Sequence, residues 1–173
     1  MERRKLLATI VSFVMLFSCC FGINAISVFA ADEGVFIVSS ESAKPGEEVT
    51  VTISIANNPG IITSQLEIHY DTGLTIKSVT DKGLLKGTYT PGGDLTANPY
   101  TISWNDATAT SNNTSNGVIA EITFTVSETA TNGDYDIWVT FDEDNVFDIN
   151  MNNVAFTTQA GKVSVTGAAC VTH

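Results

Sequence analysis

Apolar and polar residues alternate along most of the chain beyond residue 34. Val49, Val51, Ile53 and Ile55 are interleaved with Thr50, Thr52 and Ser54, the period-2 pattern of a strand with one wet face. Lys44-Pro45-Gly46-Glu47 reads as the turn before it. After Asn57-Asn58-Pro59-Gly60 the alternation resumes from Ile61 to Asp71, with Leu66, Ile68 and Tyr70 on one side and Gln65, Glu67 and His69 on the other. Leu74 and Ile76 suggest a short third strand. The glycine-rich, polar stretch from Asp81 to Asn98 reads as an irregular surface excursion. Tyr100, Ile102 and Trp104 alternate with Thr101, Ser103 and Asn105. A polar loop, Asp106 to Asn116, precedes the clearest strand, Val118 to Val126, whose expected inner face is Val118, Ala120, Ile122, Phe124 and Val126. Thr131-Asn132-Gly133-Asp134 is a turn, and Tyr135, Ile137, Val139 and Phe141 form the next inward set, which leaves Trp138 outside. Val35–Val38 supplies an opening strand, apolar on both sides, and Gly161–Val165 a closing one.

No segment carries a capped 3.6-residue stripe. Seven to nine short strands joined by Gly, Asn and Asp turns predict an all-β fold, an antiparallel β-sandwich. Residues 1–30 are set apart from it: Arg3, Arg4 and Lys5, an apolar run from Leu6 to Phe17, and Val28-Phe29-Ala30 read as a secretory signal with cleavage before Ala31. Leu16-Phe17-Ser18-Cys19 is the competing lipoprotein reading, disfavoured by Phe17 and by the apolar sequence that continues to Ala30. The expected organisation is a signal over residues 1–30, one domain over 31–167 and a short tail over 168–173.

Removing the signal leaves 143 residues with 5 basic and 18 acidic side chains, a net charge of −13. That balance excludes binding to a phosphate backbone or an anionic membrane surface, both of which need clustered Lys and Arg. A chain of this size buries roughly two-thirds of its unfolded surface and needs no disulfide staples. Of the three cysteines only Cys170 survives cleavage, so neither an internal bridge nor a zinc cluster is expected.

Several segments together carry a resemblance. Lys44-Pro45-Gly46-Glu47-Glu48-Val49-Thr50-Val51, then Leu66-Glu67-Ile68-His69-Tyr70-Asp71 with Leu74, then Asn116-Gly117-Val118-Ile119-Ala120-Glu121-Ile122-Thr123-Phe124-Thr125-Val126, and last Gly161-Lys162-Val163-Ser164-Val165 follow one another as do the landmarks of the cohesin family, the receptor modules of bacterial cellulosomes. Asn116 replaces the family's usual Asp, and Thr72 stands where a proline often follows Tyr-Asp. The resemblance spans about Val35 to Val165. It implies a nine-stranded jelly roll that binds a dockerin, a small helical calcium-loaded module, on a flat face made by the third, fifth, sixth and eighth strands.

Carried over by position, that face comprises Thr63, Gln65 and Glu67 on the third strand, and Ser103, Asn105 and Asp106 on and after the fifth. It continues with Ile119, Glu121 and Thr123 on the sixth, and Val146, Phe147 and Asp148 around the eighth. Ile119 on the outer parity of its strand is the position that an ordinary wet surface does not explain. A standard interface of ~1,600 Å² is within reach of such a face. The signal implies a secreted location; the domain is expected to be a monomer before docking and to carry no cofactor, calcium belonging to the dockerin.

Three rival readings are weighed against it. A carbohydrate-binding module would need coplanar outward rings, with Trp138, Tyr89 and Tyr100 as candidates. A calcium loop at Asp142-Glu143-Asp144-Asn145-Val146-Phe147-Asp148 fails the EF-hand pattern, because Phe147 and Asn153 occupy the places of the glycine and the last carboxylate; a simpler surface calcium site there stays open. Glycoside hydrolysis needs two carboxylates ~5 to 9 Å apart in a cleft that raises the pKa of one. His69 and His173 are the histidines, neither with a nucleophile beside it in sequence. The expectation is a non-enzymatic module.

Overall fold

The computed structural model describes residues 33–167, so the expected signal, Cys19, Cys170 and the tail lie outside the described residues. Eleven strands follow in order: β1 (Gly34–Val38), β2 (Glu41–Ala43), β3 (Glu48–Ala56), β4 (Thr63–Tyr70), β5 (Leu74–Asp81), β6 (Thr88–Pro91), β7 (Tyr100–Asn105), β8 (Gly117–Val126), β9 (Gly133–Thr140), β10 (Phe156–Gln159) and β11 (Gly161–Val165). They form two sheets, one in the order β10-β1-β3-β8-β5 and the other β2-β11-β9-β4-β7-β6. Among the described residues the one helical element is a 3-10 turn, Glu143–Asn145, capped by the Asp142 side chain.

The alternation read from the sequence is what buries the core. Val51, Ile53, Ile122 and Phe124 from the first sheet meet Leu66, Ile68, Ile102 and Ile137 from the second, all at or near zero exposure. Each such side chain contributes about 1.5–3 kcal/mol by leaving water. Trp104 and Tyr100 also point inward, as their parity predicts, and the Trp104 Nε1–H donates to Asp81 Oδ1 at 3.0 Å. A buried indole thereby keeps its one donor satisfied.

β1 and β2 behave as one strand broken at Ser39 and Ser40, and β10 and β11 as another broken at Ala160. The first half of each pairs in parallel in the five-stranded sheet (β1 with β10) and the second half in the six-stranded sheet (β2 with β11). Every other pairing is antiparallel. Joined in this way the eleven segments reduce to nine strands and an antiparallel jelly-roll sandwich, the fold class the sequence predicts.

Two local expectations are corrected. The stretch from Asp81 to Asn98 contains a strand, β6, which pairs with β7 from Thr88↔Asn105 to Pro91↔Ile102. It is an edge strand of four residues with one half-buried side chain, Tyr89, so it has no alternation to betray it. The second concerns Ile119, which is fully buried and not outward. In the β3–β8 ladder Ile53 pairs with Ala120 but Ser54 pairs with Val118, leaving Ile119 as the extra residue of a bulge. A bulge breaks the period-2 rule. Ile119 and Ala120 therefore both face the core, while Val118, expected inside, is half-exposed.

Candidate functional site

The twelve residues expected on one face are not brought together: five share the outer surface of the six-stranded sheet, two emerge on the opposite side, and five lie in loops or in the core. Thr63, Gln65 and Glu67 on β4 stand opposite Asn105, Ser103 and Thr101 on β7, and all lie on the outer surface of the six-stranded sheet. Asp106 follows β7 and is folded into its own loop, its Oδ1 accepting from the Thr108 N–H and hydroxyl. β8, however, belongs to the five-stranded sheet, so Glu121 and Thr123 emerge on the opposite side of the sandwich and Ile119 on neither. Val146 is fully buried and Phe147 is half-buried, its backbone bridged to Thr63 and Asn153. Asp148 serves its own turn by accepting from the Asn150 and Asn152 N–H groups, which hold its carboxyl below the usual range. None of these three belongs to a strand.

The cause is the overlooked edge strand. Once β6 is counted, the third, fifth, sixth and eighth of the nine strands are β4, β6, β7 and β9, and these four are contiguous in the six-stranded sheet as β9-β4-β7-β6. The face that the resemblance implies thus gains Thr88 and Thr90 from β6, Thr101 from β7, His69 from β4, and Asp134, Asp136, Trp138 and Thr140 from β9. Trp138 was legible beforehand as a tryptophan on the polar parity of its strand; the others were not distinguishable from any solvated position.

Trp138 and His69 are directly paired across the β4–β9 ladder, and their rings stack with centroids 5.2 Å apart and planes 7° from parallel. His69 Nε2 lies 2.8 Å from the Thr140 hydroxyl, which in turn donates to Glu67 Oε2 at 3.3 Å. At one corner of this face a shallow depression of about 600 Å³ is lined by Gln65, Glu67, Thr140 and residues 141–145. A second cavity of about 380 Å³ lies between the 106–115 loop and the ends of β4 and β7, with Ile61, Leu85 and Trp104 among its lining residues.

Neither recess has the chemistry of an acid–base site. The second holds one carboxylate, Asp106. The depression has four, Glu67, Asp142, Glu143 and Asp144, on an open surface with no enclosing apolar wall. A proton donor for glycoside cleavage is kept protonated by an enclosed, water-poor pocket. Nor do aromatic rings form a sugar platform: Tyr100 is buried, and Tyr89 is packed against Trp104 with burial pushing its hydroxyl up to about 12. Among the described residues no cluster of three or more metal-ligating side chains occurs, and Asp144 and Asp148 are engaged with Asn153 and Asn152.

The described residues form a two-layer sandwich whose six-stranded sheet presents a broad outer face to solvent. The chain matches the family model for the cohesin domain over residues 34–165, and it belongs to that family. Cohesin modules are non-catalytic protein–protein interaction domains. Its fold is similar to the CaCohA2 cohesin of Clostridium acetobutylicum, at 25% identity over 79% of this chain and 93% of that one, with a TM-score of 0.64. The type I complex of the OlpA cohesin with the dockerin Doc918, from Clostridium thermocellum, holds a similar fold at 19% identity, covering 78% of this chain and 100% of that one, with a TM-score of 0.69. A cohesin described as non-cellulosomal, from the archaeon Archaeoglobus fulgidus, is similar at 17% identity, covering 78% and 92%, with a TM-score of 0.65. These last two bear on the fold alone. No curated protein matches the chain.

Proposed function

We propose that the chain is an extracellular or cell-surface receptor module that binds the dockerin of a partner enzyme or scaffold protein, on the outer face of β9-β4-β7-β6. Residues 1–30 serve as its export signal. Calcium is placed on the dockerin and not on this chain. The observation that carries the reading is the family match over the entire described sandwich, together with CaCohA2, the 25%-identical relative, which is also recorded in complex with the dockerin CaDoc0917. The face supports it physically. Thr63, Gln65, Ser103 and Asn105 offer directional hydrogen bonds that would select a partner, and Trp138 offers apolar area that would hold it.

The test is capture of the purified protein by a panel of dockerins, including CaDoc0917, Doc918 and those encoded by its own organism, with and without a calcium chelator. Capture that disappears on chelation, with no retention on cellulose or xylan, is expected. Failure of every dockerin in the panel, or polysaccharide retention abolished by Trp138→Ala, would sink the reading.

A further inference from the structure

Among the described residues two large apolar side chains stand out in solvent, Trp138 at 37% exposure and Met151 at 66%. Met151 tips an exposed turn. Trp138 stands on the sheet face, and its orientation is fixed before any partner arrives. His69 Nε2 is hydrogen-bonded to the Thr140 hydroxyl at 2.8 Å, and that hydroxyl lies 3.3 Å from Glu67 Oε2. That bond holds the imidazole, and the imidazole holds the indole stacked on it. A preorganised aromatic surface loses little side-chain entropy on binding.

The surrounding charge has one sign. Glu67 and Asp136 flank the stack on β4 and β9, and Asp142, Glu143 and Asp144 edge the adjoining depression. Lys162, the lysine carried by the strands of this sheet, is 2.6 Å from Asp134 and thereby committed. The opposite face is different in kind, since Lys77 pairs with Glu48 there and Lys82 with Glu121. Glu67 has the His69 ring 3.9 Å away, and Asp136 shares Lys162 with Asp134, so carboxylates outnumber lysines on the face that carries the exposed tryptophan.

Resting on the docking reading above, we infer that the His69–Trp138 stack is the energetic centre of that face, and that it receives a helix bearing an aliphatic side chain followed, one turn on, by Lys or Arg. Spacing supports the pairing. His69 and Glu67 are two residues apart on one strand, about 6.6 Å, and side chains one helical turn apart are separated by about 5.4 Å along the axis. A helix running along β4 therefore sets its aliphatic group on the indole while its cation reaches Glu67 and the depression beyond it. The β7 and β6 half of the face supplies complementarity with little energy.

The experiment measures association and dissociation rates of the full protein with the tightest dockerin of the panel, from low salt to about 0.5 M. Trp138→Ala should weaken binding by about 30-fold or more, mainly through faster dissociation, while Trp138→Phe keeps most of the affinity. Paired Glu67→Gln and Asp144→Asn should slow association several-fold and flatten its salt dependence. Thr90→Ala and Thr101→Ala should change affinity by less than about threefold. Each variant is checked by its melting curve, which these positions on the outer surface of the sheet and its adjoining loop should leave near that of the parent protein. Parent-level affinity in Trp138→Ala, or an association rate insensitive to salt in the parent protein, overturns the inference while leaving the docking reading intact. Absence of binding by the parent protein overturns both.

Discussion

Asn58 shows how much one side chain can organise. It is 7% exposed, and it bonds at every polar atom of its side chain: Oδ1 accepts from the Gly60 N–H at 3.0 Å, and Nδ2 donates to the carbonyls of Asn113 at 2.9 Å and Ser115 at 3.1 Å. Its backbone N–H donates to Asn116 Oδ1. The turn after β3 is thereby pinned to the end of the long loop before β8. Asn116, where the family usually has Asp, supplies an oxygen in the accepting role that a carboxylate would fill. Asn58→Ala removes a partner from the buried Gly60 N–H and from the Asn113 and Ser115 carbonyls, the first of which keeps the Ile61 N–H, and should cost about 1–3 kcal/mol in chemical denaturation, with an unchanged denaturant slope. A loss below ~0.5 kcal/mol would show that water replaces the lost bonds.

At the scale of elements, the decisive feature is the crossing of the two broken strands. Where β10 gives way to β11, Gly161 passes so close to the end of β1 that a Cβ placed on it would lie 2.1 Å from the Ser39 carbonyl oxygen and 2.6 Å from that of Val38. Both obstacles are backbone, and Ser39 is itself held by its N–H to Thr52 O and by the Thr52 N–H to its hydroxyl. Gly161→Ala therefore forces the chains apart at the point where each changes sheet. It should cost about 1–3 kcal/mol or more and lower Tm by about 3–10 °C in a domain of this size. Gly83, with nothing within 4 Å of its hypothetical Cβ, is the steric control, although its φ of +68° carries a strain of its own.

For the molecule as a whole, charge sets the limits of stability. Asp134 is held below the usual carboxylate range by hydrogen bonds from Lys162 and Ser164, Asp94 by bonds from Thr96, and Asp148 by bonds from Asn152 and Asn150. A lowered folded-state pKa means that the unfolded chain binds the proton more readily. The stabilisation from these groups is complete above ~4 and is lost as pH falls through their folded values. Lys162, raised by Asp134, and Tyr89, raised by burial to about 12, act with the opposite sign. What they contribute is complete below ~10 and is lost as pH rises beyond it. Melting temperature measured against pH should therefore be level with respect to these groups from about 5 to 9 and fall on both sides. Lys162→Met should shallow both limbs at once, because it removes the partner that displaces Asp134 along with the lysine itself.

The alternation of side chains determined by itself most of what this protein is. Periodicity is local, so β3, β4, β7, β8 and β9, the inward Trp104 and the outward Trp138 were all readable, and the ordered landmarks were enough to suggest the family. Sheet membership was not readable, because a strand's own pattern says which side is wet and nothing about which neighbour it joins. Glu121 and Gln65 have the same parity and the same solvent, yet they look out from opposite sides of the molecule. Ile119 was misplaced because a bulge is a property of two strands in register. β6 was missed because an edge strand of four residues buries too little to leave a pattern. Only the tertiary structure could count the strands, and that count moved the proposed docking face onto the pair of rings that Trp138 and His69 form across β9 and β4.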